Sequence, residues 1–334
     1  MHVGILCEHS DPARGGAELY LESLAERLRV HGHTVSVCAR VGPFARPLAK
    51  DPGPTHRPRA YAEEYLPWLR DQGAERVLTT SPVAGCDFFQ PHNGVLAVSN
   101  PAHYDSIPWG ARHIRAGNPM RRAHFRTLMQ YEAAAAAPPT TVLAVSPRVG
   151  RDMQERYPEA NVLVRRAGVN LERFTPPRTA DGPLLFASGN FRLKGLATLL
   201  RAVRISGDLR AKVAGGVWRR PAPRVEFCGV VPDMAAFYRS GSMLVHPTFY
   251  DSAAGVVLEA LACGLPVIST VRDGNSDLAV EAGGAALAHP RSWRELLAAV
   301  RAVAARADSE RCRAVAERFP RDRMFDEVVE TLTT

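Results

Sequence analysis

Short apolar runs alternate with amphipathic helical patterns along the chain, beginning with a strand, helix, strand unit. The runs from His2 to Cys7 and from Thr34 to Ala39 predict buried strands. Between them, Leu21, Leu24 and Leu28 fall on one face of a predicted helix. An alternation of this kind predicts a mostly parallel sheet covered by helices.

The alternation falls into two series, which predict two α/β domains. Further strands of the first series are predicted at Arg76–Thr80, Phe88–Phe89 and Thr141–Ser146. The strands of the second series are predicted at Leu184–Ser188, Ala211–Ala214, Val225–Cys228, Met243–His246 and Pro266–Thr270. The proline-rich stretch Thr175–Pro183 predicts a connection leading into the second series. Because 334 residues suit two cores better than one, we predict domains at 1–168 and 169–315 and a C-terminal helix within 316–334.

Composition agrees with a folded globular protein. Hydrophobic residues make up 46% and charged residues 23% of the chain, which is enough apolar surface for a sizeable core. No apolar run approaches the roughly 20 residues that span a bilayer, and the first residues do not have the pattern of a signal peptide. We therefore expect a cytoplasmic protein. The six cysteines form no C-x-x-C pair, which argues against a zinc site or a disulfide framework.

The charge balance favours anionic partners. The chain has 42 basic and 34 acidic residues, a formal net charge of +8, which suits nucleotides, phospholipid surfaces or nucleic acid. The excess arginine is explained equally well by the nucleotide composition of the genome. A basic run with interleaved aromatics, Arg112–Arg126, suits an anionic acceptor or the inner face of a membrane, and an ordinary solvated helix face accounts for it equally well.

The segment His246–Thr270 contains the pattern richest in chemistry. Asp251 follows a predicted strand, the small residues Ser252–Gly255 open a helix, and Glu259 lies about one turn inside it. Small side chains leave the amides of a helix N-terminus open to an oxygen-rich ligand, and two carboxylates suit the hydroxyl donors of a sugar or ribose. Composition alone favours a simpler interpretation, in which Asp251 starts the helix and Glu259 is a surface charge.

A second polar loop follows the predicted strand Leu184–Ser188. It contains Arg192 and Lys194-Gly195 just before a helix. A cation about 4 Å from a phosphate oxygen gains roughly 4 kcal/mol at an effective dielectric constant near 20, enough to hold a diphosphate and stabilise it as a leaving group. The simpler alternative is that these are solvated basic residues at the end of a loop.

Two features of the first domain are also candidates. The pair Gly15-Gly16, between the first strand and the first helix, allows backbone amides to approach a phosphate, although a glycine pair also suits a tight turn. His92 follows Phe88–Phe89 at the carboxyl end of a predicted strand. It is placed to hydrogen-bond a sugar, or it is a structural histidine.

Taken together, these motifs resemble glycosyltransferase family 4 of the GT-B fold. The donor motif of that family is an acidic residue, seven others, and then Glu in an E-A-x-A-x-G-x-P-V context. The matching residues here are Asp251, Glu259, Ala260, Ala262, Gly264, Pro266 and Val267. The resemblance is greatest to bacterial lipopolysaccharide core glucosyltransferases, through His246-Pro247, Ala253-Ala254-Gly255 and Leu258-Glu259. It implies an α/β chain of two Rossmann-like domains facing across a cleft, with a last helix that crosses back to the first domain.

The resemblance also implies a role for each candidate residue. It assigns Glu259 to the donor ribose, Asp251 to the donor hexose, the amides of Ala253, Ala254 and Gly255 to the sugar or diphosphate, Lys194 and Arg192 to the diphosphate, Gly15 and Gly16 to the phosphate from the opposite domain, and His92 to the sugar. Two positions depart from the family pattern. Asp251 is one methylene shorter than the usual Glu, and the family arginine usually lies upstream of Arg192, where this chain has Gly189.

The activity implied by the resemblance is retaining transfer of a hexose from a nucleotide diphosphate sugar, with UDP-glucose as first choice. The acceptor is a glycan, a lipid-linked molecule or a small molecule, and the reaction uses no metal and no cofactor. Two alternatives remain open: a GT-B sugar-nucleotide epimerase and a catalytically silent module that binds nucleotide sugars. A nucleic-acid-binding protein is disfavoured because no recognised motif accompanies the positive charge.

Overall fold

The computed structural model describes residues 1–108, 111, 117–176, 182–216, 218 and 221–334. The chain divides into two compact units. The first comprises Met1–Asn100, Trp109–Arg166 and Asp322–Thr334, and the second comprises Pro101–Pro108 and Ala167–Arg321. The sequence placed this boundary at residue 168 and assigned Pro101–Pro108 to the first domain.

The first unit is built on a parallel sheet, to which the described residues contribute six strands. In spatial order these are β2 (Thr34–Val41), β1 (His2–His9), β3 (Arg76–Thr79), β4 (Phe88–Phe89), β5 (Thr141–Ala144) and β6 (Asn161–Val164). The predicted strands are thus confirmed. The hydrophobic pattern did not predict β6, a four-residue edge strand whose side chains are at best half-buried, because its short run lacks the apolar character of the central strands.

Helices cover this sheet. They are α1 (Gly16–Val30), α2 (Arg57–Ala60), α3 (Leu66–Asp71), α5 (Pro119–Ala136), α6 (Pro147–Arg156) and α13 (Arg321–Thr333), while α4 (Leu96–Asp105) has its last residues in the second unit. The predicted face of α1 is buried, since Leu21, Leu24 and Leu28 all lie in the core. The C-terminal helix α13 adds Phe325 and Leu332 to the same core.

The second unit has its own parallel sheet, again with six strands among the described residues. In spatial order they are β12 (Ala285–Leu287), β11 (Val267–Thr270), β10 (Met243–Val245), β7 (Leu184–Ser188), β8 (Ala211–Gly215) and β9 (Val225–Gly229). All five predicted strands are confirmed. The sequence analysis missed β12 because Ala-Ala-Leu within an alanine-rich stretch carries little strand propensity.

The helices of the second unit bury one another as well as the sheet. They are α7 (Leu196–Ser206), α8 (Met234–Arg239), α9 (Gly255–Ala262), α10 (Ser276–Glu281), α11 (Trp293–Ala304) and α12 (Ser309–Glu317). In α9 every residue from Val257 to Ala262 is buried except Glu259, which is half-buried. A carboxylate on an otherwise apolar helix is costly to bury without partners, so the surroundings of Glu259 are of functional interest. Within the described part of the chain, no helix is long and apolar enough to cross a membrane.

Candidate functional site

The strand order of the second unit defines where a ligand binds. From the central strand β7 the chain runs outward through β8 and β9, then returns to β10 and runs outward on the other side through β11 and β12. The order therefore reverses between β7 and β10, and open parallel sheets bind ligands beyond the carboxyl ends of the strands at such a point. The loops that follow β7 and β10 contain Arg192, Lys194 and Asp251, three of the charged residues singled out from the sequence.

Lys194, Asp251 and His246 form one buried polar cluster at this point. Lys194 Nζ donates to Asp251 Oδ2 at 2.6 Å and to the Tyr250 carbonyl at 3.1 Å. His246 Nε2 lies 3.2 Å from the same Asp251 oxygen. Exposed side-chain fractions are 18% for Lys194, 16% for Asp251 and 2% for His246. Both donors converge on Oδ2, and Oδ1 has no hydrogen-bond partner among the described residues.

The cluster keeps Asp251 ionised. Burial by itself raises the pKa of a carboxyl, but the Lys194 ammonium and the His246 hydrogen bond outweigh burial and hold the pKa of Asp251 well below its ordinary value. An ionised carboxylate only accepts hydrogen bonds. Asp251 therefore presents Oδ1 as an acceptor suited to a hydroxyl group.

The turn that presents Lys194 depends on the glycine that follows it. Gly195 has φ +78°, and a Cβ at this position would lie 2.0 Å from the Pro247 carbonyl oxygen. The side chain of Asn190 stabilises the same turn by accepting from the Leu193 amide at 3.2 Å. The Lys-Gly pair recognised in the sequence thus has a steric basis. Arg192, on the same turn, is exposed to solvent.

Glu259 lies one turn inside α9 and has a buried partner. The Tyr238 hydroxyl donates to Glu259 Oε2 at 2.7 Å. Burial raises the pKa of Glu259, while the Tyr238 hydrogen bond and the nearby Arg173 guanidinium partly offset that rise. Tyr238 was not among the sequence candidates, because its position among the apolar residues of α8 resembles a core aromatic.

The start of α9 is open where the sequence predicted amide contacts. A Cβ at Gly255 would meet no atom within 4 Å, and this residue is exposed. The Ala254 amide, in contrast, already donates to Asp273 Oδ1 at 3.3 Å, and the Ala254 carbonyl accepts from Asn275 Nδ2 at 3.0 Å. Ala253, half-buried, lies between Asp251 and this anchored residue.

Asp273 and Asn275 were missed by the sequence analysis. Asp273 is 1% exposed and also accepts from the Ser269 hydroxyl at 2.6 Å and the Asn275 amide at 3.0 Å. Burial raises the pKa of Asp273, and the neighbouring Asp251 carboxylate raises it further. The two segments are joined again by the backbone, because the Gly274 amide donates to the Asp251 carbonyl at 2.9 Å. The available signal was the position of Asp273 just after β11, the strand beside β10.

Residues Pro101–Pro108 are held on the second unit close to this loop. Asp105 pairs with Arg272 at 3.1 Å, and Arg291 donates to the Ile107 carbonyl at 2.9 Å. The Arg272 carbonyl in turn accepts from the Asp251 amide at 3.2 Å. This segment is therefore connected through Arg272 to the loop that contains Asp251.

The remaining candidates lie in the first unit, whose strand order reverses between β1 and β3. Gly15 and Gly16 follow β1 at that point. Gly15 has an extended backbone that any residue adopts, with φ 171°, and a Cβ at Gly16 would meet nothing within 4 Å. Neither glycine is thus required by a tight turn or by close packing. The geometry therefore does not support the alternative that the pair is glycine because of a tight turn.

His92 lies beyond the carboxyl end of β4. Its Nε2 hydrogen-bonds Gln90 Oε1 at 2.9 Å, and its ring packs edge-on against Tyr20 with centroids 5.0 Å apart. Burial lowers the pKa of His92 to about 4, so the imidazole is neutral at pH 7. A neutral ring held in this way is able to exchange hydrogen bonds with a hydroxyl group.

The predicted basic run is described only in part. Residues 112–116 lie outside the described residues, as does most of the Thr175–Pro183 connection. From Pro119 the run forms the first turns of α5, where Arg121, Arg122 and Arg126 are exposed and Met120 is 80% exposed.

Known proteins resemble this chain at two levels, through a family model over part of the second unit and through curated relatives over most of the chain. Residues 182–306, which contain the Lys194, Asp251 and Glu259 region, match the family model described as Glycosyl transferases group 1. Among curated proteins, the chain is 25% identical to the D-inositol 3-phosphate glycosyltransferase of Arthrobacter sp. (strain FB24), over 89% of this chain and 86% of the relative. The enzyme of the same name from Streptomyces coelicolor is also 25% identical, with 82% and 79% covered.

Solved structures, WaaG and HepE among them, share the fold over 99% or more of the chain. WaaG, a glycosyltransferase involved in lipopolysaccharide biosynthesis, superposes with a TM-score of 0.78 at 17% identity and 99% coverage of both chains. Anabaena HepE in complex with UDP-glucose superposes with a TM-score of 0.72 at 16% identity, covering 100% of this chain and 99% of HepE. These likenesses confirm the predicted GT-B fold class.

Proposed function

We propose that this chain, which is a glycosyltransferase with a group 1 domain at residues 182–306, transfers a hexose from a UDP-linked sugar with retention of configuration. The observation that carries the proposal is the Lys194–Asp251 pair beside the open start of α9. A cation, an ionised carboxylate that accepts from hydroxyl groups, and an open helix N-terminus thus lie near the point where the strand order of the second sheet reverses. A nucleotide diphosphate sugar needs those three kinds of contact.

The donor diphosphate is assigned to Lys194 and the start of α9. An ammonium group has three N–H bonds, and two of those of Lys194 go to Tyr250 and Asp251. The third remains for a phosphate oxygen. The exposed amide end at Gly255 adds the partial positive charge of a helix N-terminus, which favours an anion. Arg192, exposed on the same turn, is a further phosphate contact in this proposal, and the role of Gly15 and Gly16 stays a prediction from the sequence.

The sugar and the ribose are assigned to the carboxylates. Asp251 Oδ1 accepts from a hexose hydroxyl, while Lys194 and His246 hold Oδ2 and so fix the plane of the group. Glu259 accepts from the ribose hydroxyls, and the Ala253 amide contacts the sugar or diphosphate. A hydrogen bond from His92 to a sugar stays a prediction from the sequence. The similarity in fold to HepE, a protein whose structure contains UDP-glucose, makes UDP-glucose the first donor to test.

The transfer step follows from these assignments without a protein base or a metal ion. The bond between the anomeric carbon and the diphosphate oxygen breaks, and the acceptor hydroxyl oxygen forms its bond on the same face. The acceptor proton passes to the departing diphosphate oxygen. Lys194 and the α9 amides stabilise the charge that develops on that leaving group, which is where fixed dipoles and cations are most effective.

The acceptor is a glycan, a lipid-linked molecule or a small molecule bearing a free hydroxyl. The curated relatives named above act on D-inositol 3-phosphate according to their names, so a phosphorylated polyol belongs first in an acceptor screen. The exposed arginines at the start of α5, with the exposed Met120, suit peripheral contact with an anionic membrane. Salt-sensitive sedimentation with vesicles containing phosphatidylglycerol, but not with neutral vesicles, tests that contact.

A donor panel tests the proposal without knowledge of the acceptor. UDP-, ADP- and GDP-sugars are compared for slow hydrolysis and for thermal stabilisation of the protein. We expect UDP-glucose to give both effects and Glu259→Ala to lose both. Full hydrolysis by Glu259→Ala contradicts the site. Conversion of the nucleotide sugar to an epimer identifies an epimerase, and binding without hydrolysis or transfer across the acceptor screen identifies a silent binding module.

A further inference from the structure

We propose that Tyr238 is a positioning residue that fixes the Glu259 carboxylate and thereby makes nucleotide binding depend on the ribose hydroxyls. The inference rests on the proposed function, in which Glu259 holds the ribose. Nothing in the donor motif itself points to Tyr238, which lies 21 residues earlier in the chain on α8.

The contact is direct, and it uses one oxygen of the carboxylate. The Tyr238 hydroxyl donates to Glu259 Oε2 at 2.7 Å, a distance typical of a strong hydrogen bond to a charged group. Glu259 Oε1 has no hydrogen-bond partner among the described residues. One oxygen is therefore held by the protein, and the other is left for a ligand.

Tyr238 is rigid enough to act as a fixed point. Its side chain is 0% exposed and belongs to the core of the second unit. The ring packs against Phe174 with centroids 6.0 Å apart. Its helix begins at a capped residue, since Asp233 accepts from the Ala236 amide at 3.0 Å. Because the phenol has so little freedom, its hydroxyl approaches Glu259 Oε2 from one direction only. It thereby fixes the plane of the Glu259 carboxylate.

Tyr238 also acts on the charge of Glu259. Burial and the adjacent Glu259 raise the pKa of Tyr238 well above its ordinary value, so the phenol stays protonated and always donates. The hydrogen bond stabilises the ionised form of Glu259 against its burial, with help from Arg173. An ionised carboxylate accepts from both ribose hydroxyls, whereas a protonated one offers fewer acceptor sites.

The matched variant is Tyr238→Phe, which retains the ring and deletes the hydroxyl. Loss of a hydrogen bond to a charged group predicts a KM for the nucleotide sugar about tenfold higher, with kcat changed less than about threefold because Tyr238 does not touch the reacting atoms. The preference for a ribonucleotide over its 2′-deoxy counterpart falls by a similar factor. The pH below which binding weakens moves upward, because Glu259 loses a partner that favours its ionised form.

The experiment measures calorimetric binding of UDP, ADP and GDP, and of the 2′-deoxy form of the tightest binder, to wild type, Tyr238→Phe, Glu259→Gln and the double variant. If Tyr238 acts through Glu259, the double variant and Glu259→Gln alone discriminate against the deoxy nucleotide to the same extent. Val315→Ala, which trims a buried residue of the same core on α12 and leaves Tyr238 and Phe174 intact, is the packing control. It lowers the unfolding temperature and leaves ribose discrimination unchanged.

The outcomes separate the two proposals. If wild type discriminates against the deoxy nucleotide and Tyr238→Phe discriminates equally well, the role of Tyr238 is wrong and the donor site stands. Additive effects in the double variant lead to the same conclusion. If wild type binds none of the three nucleotides, or binds ribo and deoxy forms alike, the assignment of Glu259 to the ribose fails and the role of Tyr238 fails with it.

Discussion

Lys194 and Asp251 are ion-paired at 2.6 Å, and the Lys194 ammonium is the strongest of the interactions that lower the pKa of Asp251. The pair joins the loops after β7 and β10, which are far apart in sequence and adjacent in the sheet. It also couples the two recognition tasks of the proposed donor site. In that proposal, Lys194 both contacts the diphosphate and keeps ionised the Asp251 carboxylate that binds the sugar.

Replacement of Lys194 by Ala should therefore affect catalysis more than folding. Removing the ammonium takes away both the proposed diphosphate contact and the main attraction that lowers the pKa of Asp251. We expect kcat for donor hydrolysis to fall by about 10²- to 10³-fold, the usual cost of losing one charge-stabilising group. The His246 contact at 3.2 Å remains to hold the carboxylate.

Lys212→Ala is the matched control for that variant. Lys212 is another ion-paired lysine of the same unit, 3.5 Å from Glu226, and it lies on β8 rather than in the loop after β7. This variant should retain wild-type hydrolysis. Comparable activities of Lys194→Ala and Lys212→Ala would show that Lys194 has no special role.

Replacement of Asp251 by Asn should separate sugar recognition from nucleotide recognition. The amide retains the size of the side chain but removes the negative charge, so the Lys194 ammonium is released toward the phosphates. We expect UDP to bind at least as tightly as to wild type, while the additional affinity of UDP-glucose over UDP is lost. Calorimetric titration of both ligands into both proteins gives the two ratios. Equal weakening of UDP and UDP-glucose would mean that Asp251 does not face the sugar.

Alanine substitutions distinguish a glycine that leaves room for a ligand from a glycine that the fold requires. Gly255→Ala adds a methyl group that meets no protein atom within 4 Å and improves helix propensity by up to about 1 kcal/mol. We expect its unfolding temperature to be unchanged or higher, while UDP-glucose affinity drops by roughly tenfold because the methyl group occupies the space of the ligand. Gly16→Ala, also in open space, should likewise leave the unfolding temperature unchanged or raise it.

Gly195→Ala is the opposite case. Its Cβ would lie 2.0 Å from the Pro247 carbonyl oxygen at a backbone φ of +78°, so the loop must move. We expect a loss of stability of more than about 2 kcal/mol from that strain and clash. Thermal unfolding with and without UDP-glucose distinguishes the three variants. A destabilised Gly255→Ala protein would remove this argument for an open donor site.

The sequence predicted local features well and contacts between elements poorly. Five of the six described strands of the second sheet were found to within two residues because Val, Leu and Ile cluster in runs bounded by glycine or proline. Lys194, Asp251 and Glu259 were candidates because each belongs to a short motif that is continuous in sequence, Lys194-Gly195 in one loop and Asp251 to Glu259 in the other. Asp273 was not found, because its contact with Ala254 spans 19 residues and depends on β10 and β11 being neighbours.

The same limit explains Tyr238 and Pro101–Pro108. An aromatic residue on a short apolar helix has the sequence signature of a core residue, and Tyr238 does lie in the core. Only the hydrogen bond from its hydroxyl to Glu259 distinguishes Tyr238 from other core aromatics. Residues Pro101–Pro108 precede β5 in the chain and therefore resemble part of the first domain, yet Arg272 and Arg291 hold them on the second unit. Ion pairs across such sequence distances have no signature that periodicity detects.

Glu132 predicts how the stability of the first unit depends on pH. This glutamate is 1% exposed on α5 and accepts from the Leu96 amide at 3.0 Å and the Tyr157 hydroxyl at 2.8 Å. Burial raises its pKa from 4.5 to about 7, although the Leu96 and Tyr157 hydrogen bonds and the charge of Arg156 act against that rise. A carboxyl with a raised pKa in the folded state favours folding when protonated. Its contribution is fully present below pH 4.5 and is lost as the pH rises through 7.

The shift corresponds to about 3 kcal/mol of unfolding free energy lost between those two pH values. Glu132→Gln, which has no proton to lose, should therefore be close to wild type at pH 5 and progressively more stable than wild type up to pH 8. Glu63→Gln is the control, because Glu63 is an exposed glutamate paired with Arg59 on the surface of the same unit and should follow the wild-type curve. Denaturant unfolding at pH 5, 6, 7 and 8 measures the difference. Parallel curves for wild type and Glu132→Gln across that range would mean that Glu132 is ionised throughout and that its three partners fully compensate its burial.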